Sequence, residues 1–282
     1  MRTEPDPESP QRRALRHVAA LATGGLLDPA LPLTLNFHPD RLVGGVPVLR
    51  RMADDGVYVS QFVTGTSNGG LTARPGGDRW RWESRIFGAA YDRAPAHERP
   101  VYGALNHLRR STGGAPRFGS AHFRLIPETL ARATFCYPDS SDEPGAFGVA
   151  DRCDLVQRAL AEGRSPLDGH VEAHIHGRVD LARDVAALVL DPSHRNTPVA
   201  EAAAALPCPV EWHPGFRLTV DVLDAHPEFR GPEIVALGRL LAEDGLLDPR
   251  MIGDASRSGR YDPQELKKVW HHLARFGAPD DR

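Results

Sequence analysis

The sequence contains little cysteine and none of the usual cysteine spacings. Cys136, Cys153 and Cys208 are its three cysteines in 282 residues, and no two of them stand in a CxxC pair. An odd number of cysteines without that spacing argues against a disulfide framework and against a cysteine zinc site. We therefore expect a reduced protein of the cytoplasm.

Long apolar runs and a strong charge of either sign are also missing. Residues 1–11 are polar and rich in proline, and the helix predicted after them mixes charged and apolar residues, which is typical of neither a signal peptide nor a membrane span. The 34 basic and 37 acidic residues leave a net charge of −3. Nothing in this balance draws the chain to nucleic acid or to a membrane, although a local basic cleft is compatible with it.

The common nucleotide-binding fingerprints are absent as well. No GxGxxG lies between a predicted strand and a predicted helix, and the chain has no GxxxxGK[ST]. These absences argue against a dinucleotide-binding domain of the hydride-transfer type and against a P-loop.

The chain does have enough apolar sequence for a full core, with 41% hydrophobic residues. Periodicity predicts an N-terminal helical segment over residues 1–30, an α+β core over residues 31–218, and a helical C-terminal extension over residues 219–282. The sequence shows no internal repeats.

The most informative stretch runs from Gly169 to Gly177. Alternation on a strand places His170, Glu172, His174 and His176 on one face and the intervening Val, Ala and Ile on the other. Three interpretations are open at this point: a polar edge strand, a catalytic Glu172 in a ligand cleft, or a metal site built from histidine and glutamate.

The metal interpretation is limited by strand geometry. His38, His122 or His213 could complete a ligand shell from another strand. Side chains at i and i+4 on one strand are about 13 Å apart, so the four polar residues of this stretch cannot all meet one ion. A metal-dependent hydrolase or oxygenase that uses two of them is the alternative function. A non-catalytic binding module is a third, for which no particular feature argues.

Several motifs together resemble an uncharacterised bacterial family, a domain of unknown function that is distantly similar to ADP-ribosyltransferase domains, including those appended to phage head proteins. The resemblance covers roughly residues 33–190. It rests on a strand bearing His38 and on four runs: Gln61–Asn68, Arg99–Gly103 (RPVYG), Arg117–Ser120 and Thr134–Ser140.

The resemblance implies a split two-sheet core and a protein that consumes NAD with Glu172 as the catalytic carboxylate. It implies NAD contacts from His38 and Tyr102, from a loop of small polar residues, and from Arg117 at the pyrophosphate. The loop residues are Thr64, Gly65, Thr66, Ser67 and Asn68. No metal would be required, and the acceptor could be a protein, a nucleic acid, a small molecule or water. The chain departs from the Glu-x-Glu form of the arginine-modifying members because position 174 is His, so the resemblance does not extend to arginine as the acceptor.

The chemistry fits these residue types independently. Breaking the nicotinamide–ribose bond develops an oxocarbenium-like cation while the leaving group departs neutral, so one fixed carboxylate suffices. We expect His38, Thr66, Tyr102 and Glu172 to line one cleft, and the helices after residue 218 to contribute little to it.

Overall fold

The chain adopts an α+β fold in the computed structural model, which describes residues 8–65, 73–165 and 167–279. Its α-helices are α1 Pro10–Leu21, α2 Val48–Asp55, α3 Gln61–Thr64, α4 Asp78–Ile86, α5 Leu155–Glu162, α6 Pro198–Ala203, α7 Val220–Asp224, α8 Pro232–Leu241, α9 Pro249–Ser258 and α10 Pro263–Phe276. Its strands are β1 Leu33–Phe37, β2 Leu42–Val43, β3 Val46–Pro47, β4 Val57–Tyr58, β5 Val101–Leu105, β6 Ala121–Leu125, β7 Ala133–Tyr137, β8 Ala146–Val149, β9 Val171–Ile175, β10 Val179–Asp180, β11 Val185–Leu190, β12 Val210–Trp212, β13 Leu218–Thr219 and β14 Leu246–Leu247. The predicted α+β class is confirmed.

One continuous sheet of eight strands carries the core, in the order β12-β11-β6-β1-β5-β9-β7-β8. All neighbours are antiparallel except β11 and β12. The strands that were expected to divide between two sheets thus lie in a single one, and the other three sheets among the described residues have two strands each. Strand β9 pairs with β5 on one side and β7 on the other, so the interpretation of Gly169–Gly177 as an edge strand is wrong.

The two faces of this sheet differ in chemistry. Side chains at alternate positions of β1, β5, β6, β7 and β9 enter the main hydrophobic core. The positions between them form a polar face, which is buried as well. Its members on these five strands include Thr34, Asn36, Tyr102, His122, Thr134, Cys136, Glu172 and His174. Helices α1 and α4 and the turn after α4 cover the part of the polar face near β9, through a smaller cluster that includes Trp82, Phe87 and Tyr91.

The C-terminal helices form a hydrophobic cluster of their own around Phe216, Leu223 and Trp270. Helix α10 starts where local sequence favours it, because Asp262 accepts hydrogen bonds from the backbone N–H groups of Gln264 and Glu265 and Pro263 occupies the first turn. The indole N–H of Trp270 contacts the carbonyls of Pro116 and Arg117 at 3.2 and 3.0 Å, which ties the extension to the core. Among the described residues, no helix has the length and apolar composition needed to cross a membrane.

Candidate functional site

Glu172 lies in the middle of the polar face and is held on both carboxylate oxygens. His174 Nε2 lies 2.9 Å from Oε1, and the Ser140 hydroxyl donates to Oε2 at 3.0 Å. Cys136 faces Glu172 directly across the β7–β9 pair, with its Sγ 3.9 Å from Oε1. These contacts fix the orientation of a carboxylate that is only 5% exposed.

His174 belongs to a chain of buried hydrogen bonds that extends away from Glu172. The Thr134 hydroxyl lies 3.0 Å from His174 Nδ1 and 3.0 Å from His176 Nε2. The Tyr91 hydroxyl lies 2.7 Å from His176 Nδ1. The chain therefore runs without a break from Tyr91 through His176, Thr134 and His174 to Glu172.

The donors of this chain follow from its carboxylate end. An ionised Glu172 only accepts, so His174 Nε2 carries the proton and donates. In the neutral form of His174, Nδ1 accepts from the Thr134 hydroxyl, which in turn accepts from His176 Nε2–H. His176 Nδ1 then accepts from the Tyr91 hydroxyl. Each ring nitrogen and hydroxyl of this hydrogen-bond series has a partner in this arrangement, and every donor points along the series toward Glu172.

The charges around these groups are consistent with an ionised Glu172. Burial on its own would raise the pKa of Glu172, but the hydrogen bond from His174 and the nearby Arg79 guanidinium bring that pKa below its ordinary value. Burial, aided by Arg132, holds the pKa of His176 well below its ordinary value, so this imidazole is neutral near pH 7. Burial beside Glu172 raises the pKa of the Cys136 thiol, which therefore stays protonated.

Glu172 opens onto a small cavity of about 70 Å³. Its lining includes Asn36, Gln61, Arg79, Tyr102 and Phe118, which come from five different segments of the chain. Arg79 is 5% exposed, and its guanidinium lies over the Tyr102 ring at 4.2 Å. Its Nε and Nη1 atoms, like Gln61 Oε1, are buried without a hydrogen-bond partner among the described residues. Two residues that line the cavity thus carry, between them, two unpaired donor atoms and one unpaired acceptor atom.

A second cavity of about 140 Å³ adjoins the first and shares Tyr58, Gln61 and Tyr102 with it. His38 and Thr64 line this second cavity. A third, of about 590 Å³, shares His38, Arg41 and Leu42 with the second and is otherwise lined largely by residues of α9 and α10. The C-terminal helices contribute nothing to the first two cavities but form most of the wall of the third.

The structure thus places the predicted site residues unevenly. Tyr102 is shared by the first two cavities and connects Glu172 to His38 and Thr64. Burial, with Arg41 nearby, keeps the pKa of His38 well below its ordinary value. Gly65 ends α3 in the left-handed conformation, with φ of 66°.

Of the four remaining predicted residues, three have no described position and one lies away from the first two cavities. Thr66, Ser67 and Asn68 lie outside the described residues. Arg117 lines neither of the first two cavities and instead forms an ion pair with Asp168. The neighbour of Arg117, Phe118, is the residue that reaches the cavity of Glu172.

The four polar residues of the Gly169–Gly177 stretch do not converge on one point, as strand geometry predicts. His170 Nε2 lies 3.5 Å from Asp139 Oδ2, and the His170 ring packs against the Phe118 ring. His176 points instead toward Tyr91. The group that could hold a metal ion is Cys136, Glu172 and His174, whose potential ligand atoms all lie within 4.8 Å of one another. Sulfur, oxygen and nitrogen ligands of this kind suit zinc.

Sequence reasoning missed Arg79, Cys136 and Thr134 as members of this site. Thr134 and Cys136 alternate on β7 as His174 and Glu172 do on β9, and the register pairs them directly. That alternation was readable, but the pairing of β7 with β9 was not, because nothing local specifies which strands become neighbours. Arg79 lies on α4, where an arginine usually faces solvent.

A family model described as "Protein of unknown function (DUF3626)" matches residues 32–166 and 161–276. These segments cover well over half of the chain, which therefore belongs to this family. The resemblance to a domain of unknown function is thereby confirmed. No curated protein matches the chain.

Proposed function

We propose that this protein cleaves the nicotinamide–ribose bond of NAD and passes ADP-ribose to an acceptor, with Glu172 as the catalytic carboxylate. The observation that carries the proposal is the state of Glu172. It is ionised, oriented by Ser140 and His174, and faces a cavity. A carboxylate fixed in advance stabilises a cation that develops next to it without any reorganisation at the moment of reaction.

The reaction needs little else from the protein. As the bond breaks, its electron pair leaves with nicotinamide, which becomes neutral, and positive charge develops on the ribose carbon beside Glu172. The acceptor then forms a bond to that carbon and releases a proton. The products are nicotinamide, the ADP-ribosylated acceptor and one proton, and with water as acceptor the protein acts as an NAD glycohydrolase.

The unpaired atoms of the cavity support nicotinamide as the leaving group. A carboxamide offers one carbonyl acceptor and two N–H donors, and the lining residues Arg79 and Gln61 carry unpaired N–H groups and an unpaired carbonyl oxygen that small side-chain rotations would turn toward it. The neutral His38 and Thr64 line the adjoining cavity, where the ribose and phosphates would extend. The three free thiols fit a reducing cytoplasmic setting.

Nicotinamide release from NAD tests the proposal. We expect the wild type to release nicotinamide and Glu172→Gln to do so on the order of a hundredfold more slowly, with NAD binding little changed, because the shape is kept and the charge is lost. Glu128→Gln is the matched control, since this exposed glutamate lies outside all the cavities described above. A wild type that releases no nicotinamide with any acceptor class, or a Glu172→Gln variant as active as Glu128→Gln, contradicts the proposal.

A metal-dependent hydrolase or oxygenase is the second candidate, and the cluster of Cys136, Glu172 and His174 is the observation that favours it. A metal bound there would displace the thiol proton and the proton on His174 Nε2. Metal analysis of the purified protein separates the two candidates. Stoichiometric metal that is lost in Cys136→Ser and in His174→Ala favours this function. An NAD-cleaving protein that is insensitive to a chelator excludes it.

A further inference from the structure

A cluster of basic side chains lies where the C-terminal extension meets the core. Its members, named here the junction cluster, are Arg117, Arg230, Lys267, His271 and Arg275. It is separate from the cavity of Glu172, none of whose lining residues belongs to it.

The geometry of α10 brings the junction cluster together. Lys267, His271 and Arg275 are four residues apart on this helix and share one side of it. The guanidinium carbons of Arg230 and Arg275 lie 4.5 and 4.8 Å from the centroid of the same Phe229 ring. The bond from the Trp270 indole to the Arg117 carbonyl places Arg117 beside the same helix.

Few acids balance these charges. Asp168 pairs with Arg117, and Arg275 donates to the Ser165 hydroxyl at 2.6 Å. Within residues 8–65, 73–165 and 167–279, neither Arg230 nor Lys267 forms an ion pair of its own, and the carboxylate that acts on Arg230 is the same Asp168 that pairs with Arg117. Four permanent cations therefore face one carboxylate in a protein whose net charge is −3.

Burial makes this arrangement costly. Arg230 and Lys267 are half-buried, and Arg230 Nε is buried without a partner in the described part of the chain. His271 is 4% exposed, and neither of its ring nitrogens has a partner there. Burial and the neighbouring cations lower the pKa of Lys267 and bring the pKa of His271 to about 3, so this imidazole is a neutral hydrogen-bonding group. A fold that concentrates unpaired donors and like charges leaves them available to an anion.

We propose that the junction cluster is a binding site for a phosphoryl group, with Arg230 and Lys267 as its principal ligands and His271 as a neutral N–H donor. A phosphoryl group carries close to two negative charges and several acceptor oxygens, which matches this set better than one carboxylate does. The site does not depend on the function proposed above, because it lies outside the cavity of Glu172 and its occupancy is measured by binding alone.

Calorimetric titration of the full chain with inorganic pyrophosphate and with adenosine diphosphate tests the site, with adenosine as the uncharged comparison. We expect pyrophosphate to bind, adenosine not to bind at this site, and Arg230→Gln or Lys267→Gln to weaken pyrophosphate binding by about tenfold or more, since each removes a charge-assisted hydrogen bond. Lys268→Gln is the matched control. It removes the same charge from the same helix at an exposed position and should change the affinity less than about twofold.

The two phosphate ligands distinguish the sources of the phosphoryl group. Equal binding of pyrophosphate and adenosine diphosphate, both dependent on Arg230, assigns the site to the phosphoryl group alone, whereas tighter and equally dependent binding of the diphosphate assigns it to a nucleotide. Thermal unfolding of each variant without ligand verifies that it is folded. The proposal is overturned if pyrophosphate does not bind the wild type at millimolar concentration, or if its binding survives both substitutions.

Discussion

The two faces of the central sheet are both largely buried, but by different means. On one face Val171, Ala173 and Ile175 join a continuous apolar core. On the other, Glu172 and His174 are just as inaccessible, yet each is kept there by specific hydrogen bonds. Apolar packing tolerates exchange between residues of similar size, whereas a buried polar chain depends on each of its members.

This difference shows where to look for function. An apolar face needs no explanation beyond folding. A buried row of titratable groups costs desolvation free energy, so its presence on an interior strand calls for a role that leucine or valine could not fill. The cavity in front of Glu172, with its unpaired Arg79 atoms, lies on that polar face. The comparison between the faces can be tested by disturbing each in turn.

The largest effect on stability is expected on the apolar face. Ile175 is fully buried, and Ile175→Ala should lower the free energy of unfolding by about 2–5 kcal/mol because it removes buried methyl groups and leaves a cavity. Chemical denaturation measures this change. The activity of the variant that remains folded should be close to wild type, and a loss of activity as large as that of Glu172→Gln would show that the faces are not independent.

On the polar face, losing the Thr134 hydroxyl should lower the free energy of unfolding more than losing the Thr134 methyl group. Thr134→Val keeps the shape but leaves His174 Nδ1 and His176 Nε2 without a partner, which should cost about 1–3 kcal/mol of unfolding free energy. Thr134→Ser retains the hydroxyl and should restore most of the stability. Nitrogen NMR of the imidazoles should show altered proton positions in the valine variant only. Equal stability of the two variants would mean that the hydrogen bonds of Thr134 contribute no net free energy of folding.

The polar face should also make stability depend on pH. Burial, with His213 and Arg124 nearby, lowers the pKa of His122 to about 3. Between this pKa and that of the unfolded state, the unfolded state therefore binds a proton at His122 that the native state does not bind. Stability is complete above the unfolded pKa of about 6.5 and falls as the pH drops below it, by about 1.4 kcal/mol per pH unit for this residue.

Denaturation at several pH values tests this dependence. His122→Asn should make it shallower, whereas His97→Asn, at an exposed histidine, should leave it unchanged. A wild type equally stable at pH 7 and pH 5 would contradict the expectation.

The smallest effect is expected at Tyr91, the end of the hydrogen-bond series that is farthest from Glu172. Tyr91→Phe removes only the donor to His176 Nδ1 and should cost about 0.5–1.5 kcal/mol. Tyr137→Phe serves as the comparison, because its hydroxyl donates to Glu162 on the other face of the sheet near solvent. Thermal unfolding should show Tyr91→Phe to be less stable than Tyr137→Phe. The reverse order would mean that the hydrogen bond from Tyr91 to His176 contributes less to stability than the one from Tyr137 to Glu162.

Local sequence predicted much of the fold but not the partners of the strands. Helix α1 after Ser9, helix α2 before Gly56 and the alternation of β9 follow from caps and periodicity. The apolar residues of Val57–Val63 favour a single strand, but this segment is a strand of two residues, Val57–Tyr58, followed by α3, since the chain turns at Ser60 into a short helix that ends at Gly65. Short apolar runs do not separate these two outcomes.

The site was predictable only where one strand carries it. Glu172 stood out because its alternating neighbours are on the same strand. Cys136 and Thr134 join it through the register of an antiparallel pair, and Arg79 joins it through the packing of a distant helix. Both are long-range consequences of the whole sheet, which a single sequence does not specify.

The hydrogen bonds between Tyr91 and His174 have a collective consequence. Each neutral imidazole and each hydroxyl of this series has one proton to donate, so the Thr134 hydroxyl can donate to His174 Nδ1 or to His176 Nε2 but not to both. The tautomer of His176 follows from that choice: while Thr134 donates to His174, His176 Nε2–H donates to Thr134 and His176 Nδ1 accepts from the Tyr91 hydroxyl. The direction of the hydrogen bond at Tyr91, at the edge of the aromatic cluster, is thereby coupled to the direction of the hydrogen bond at His174, the imidazole that contacts Glu172.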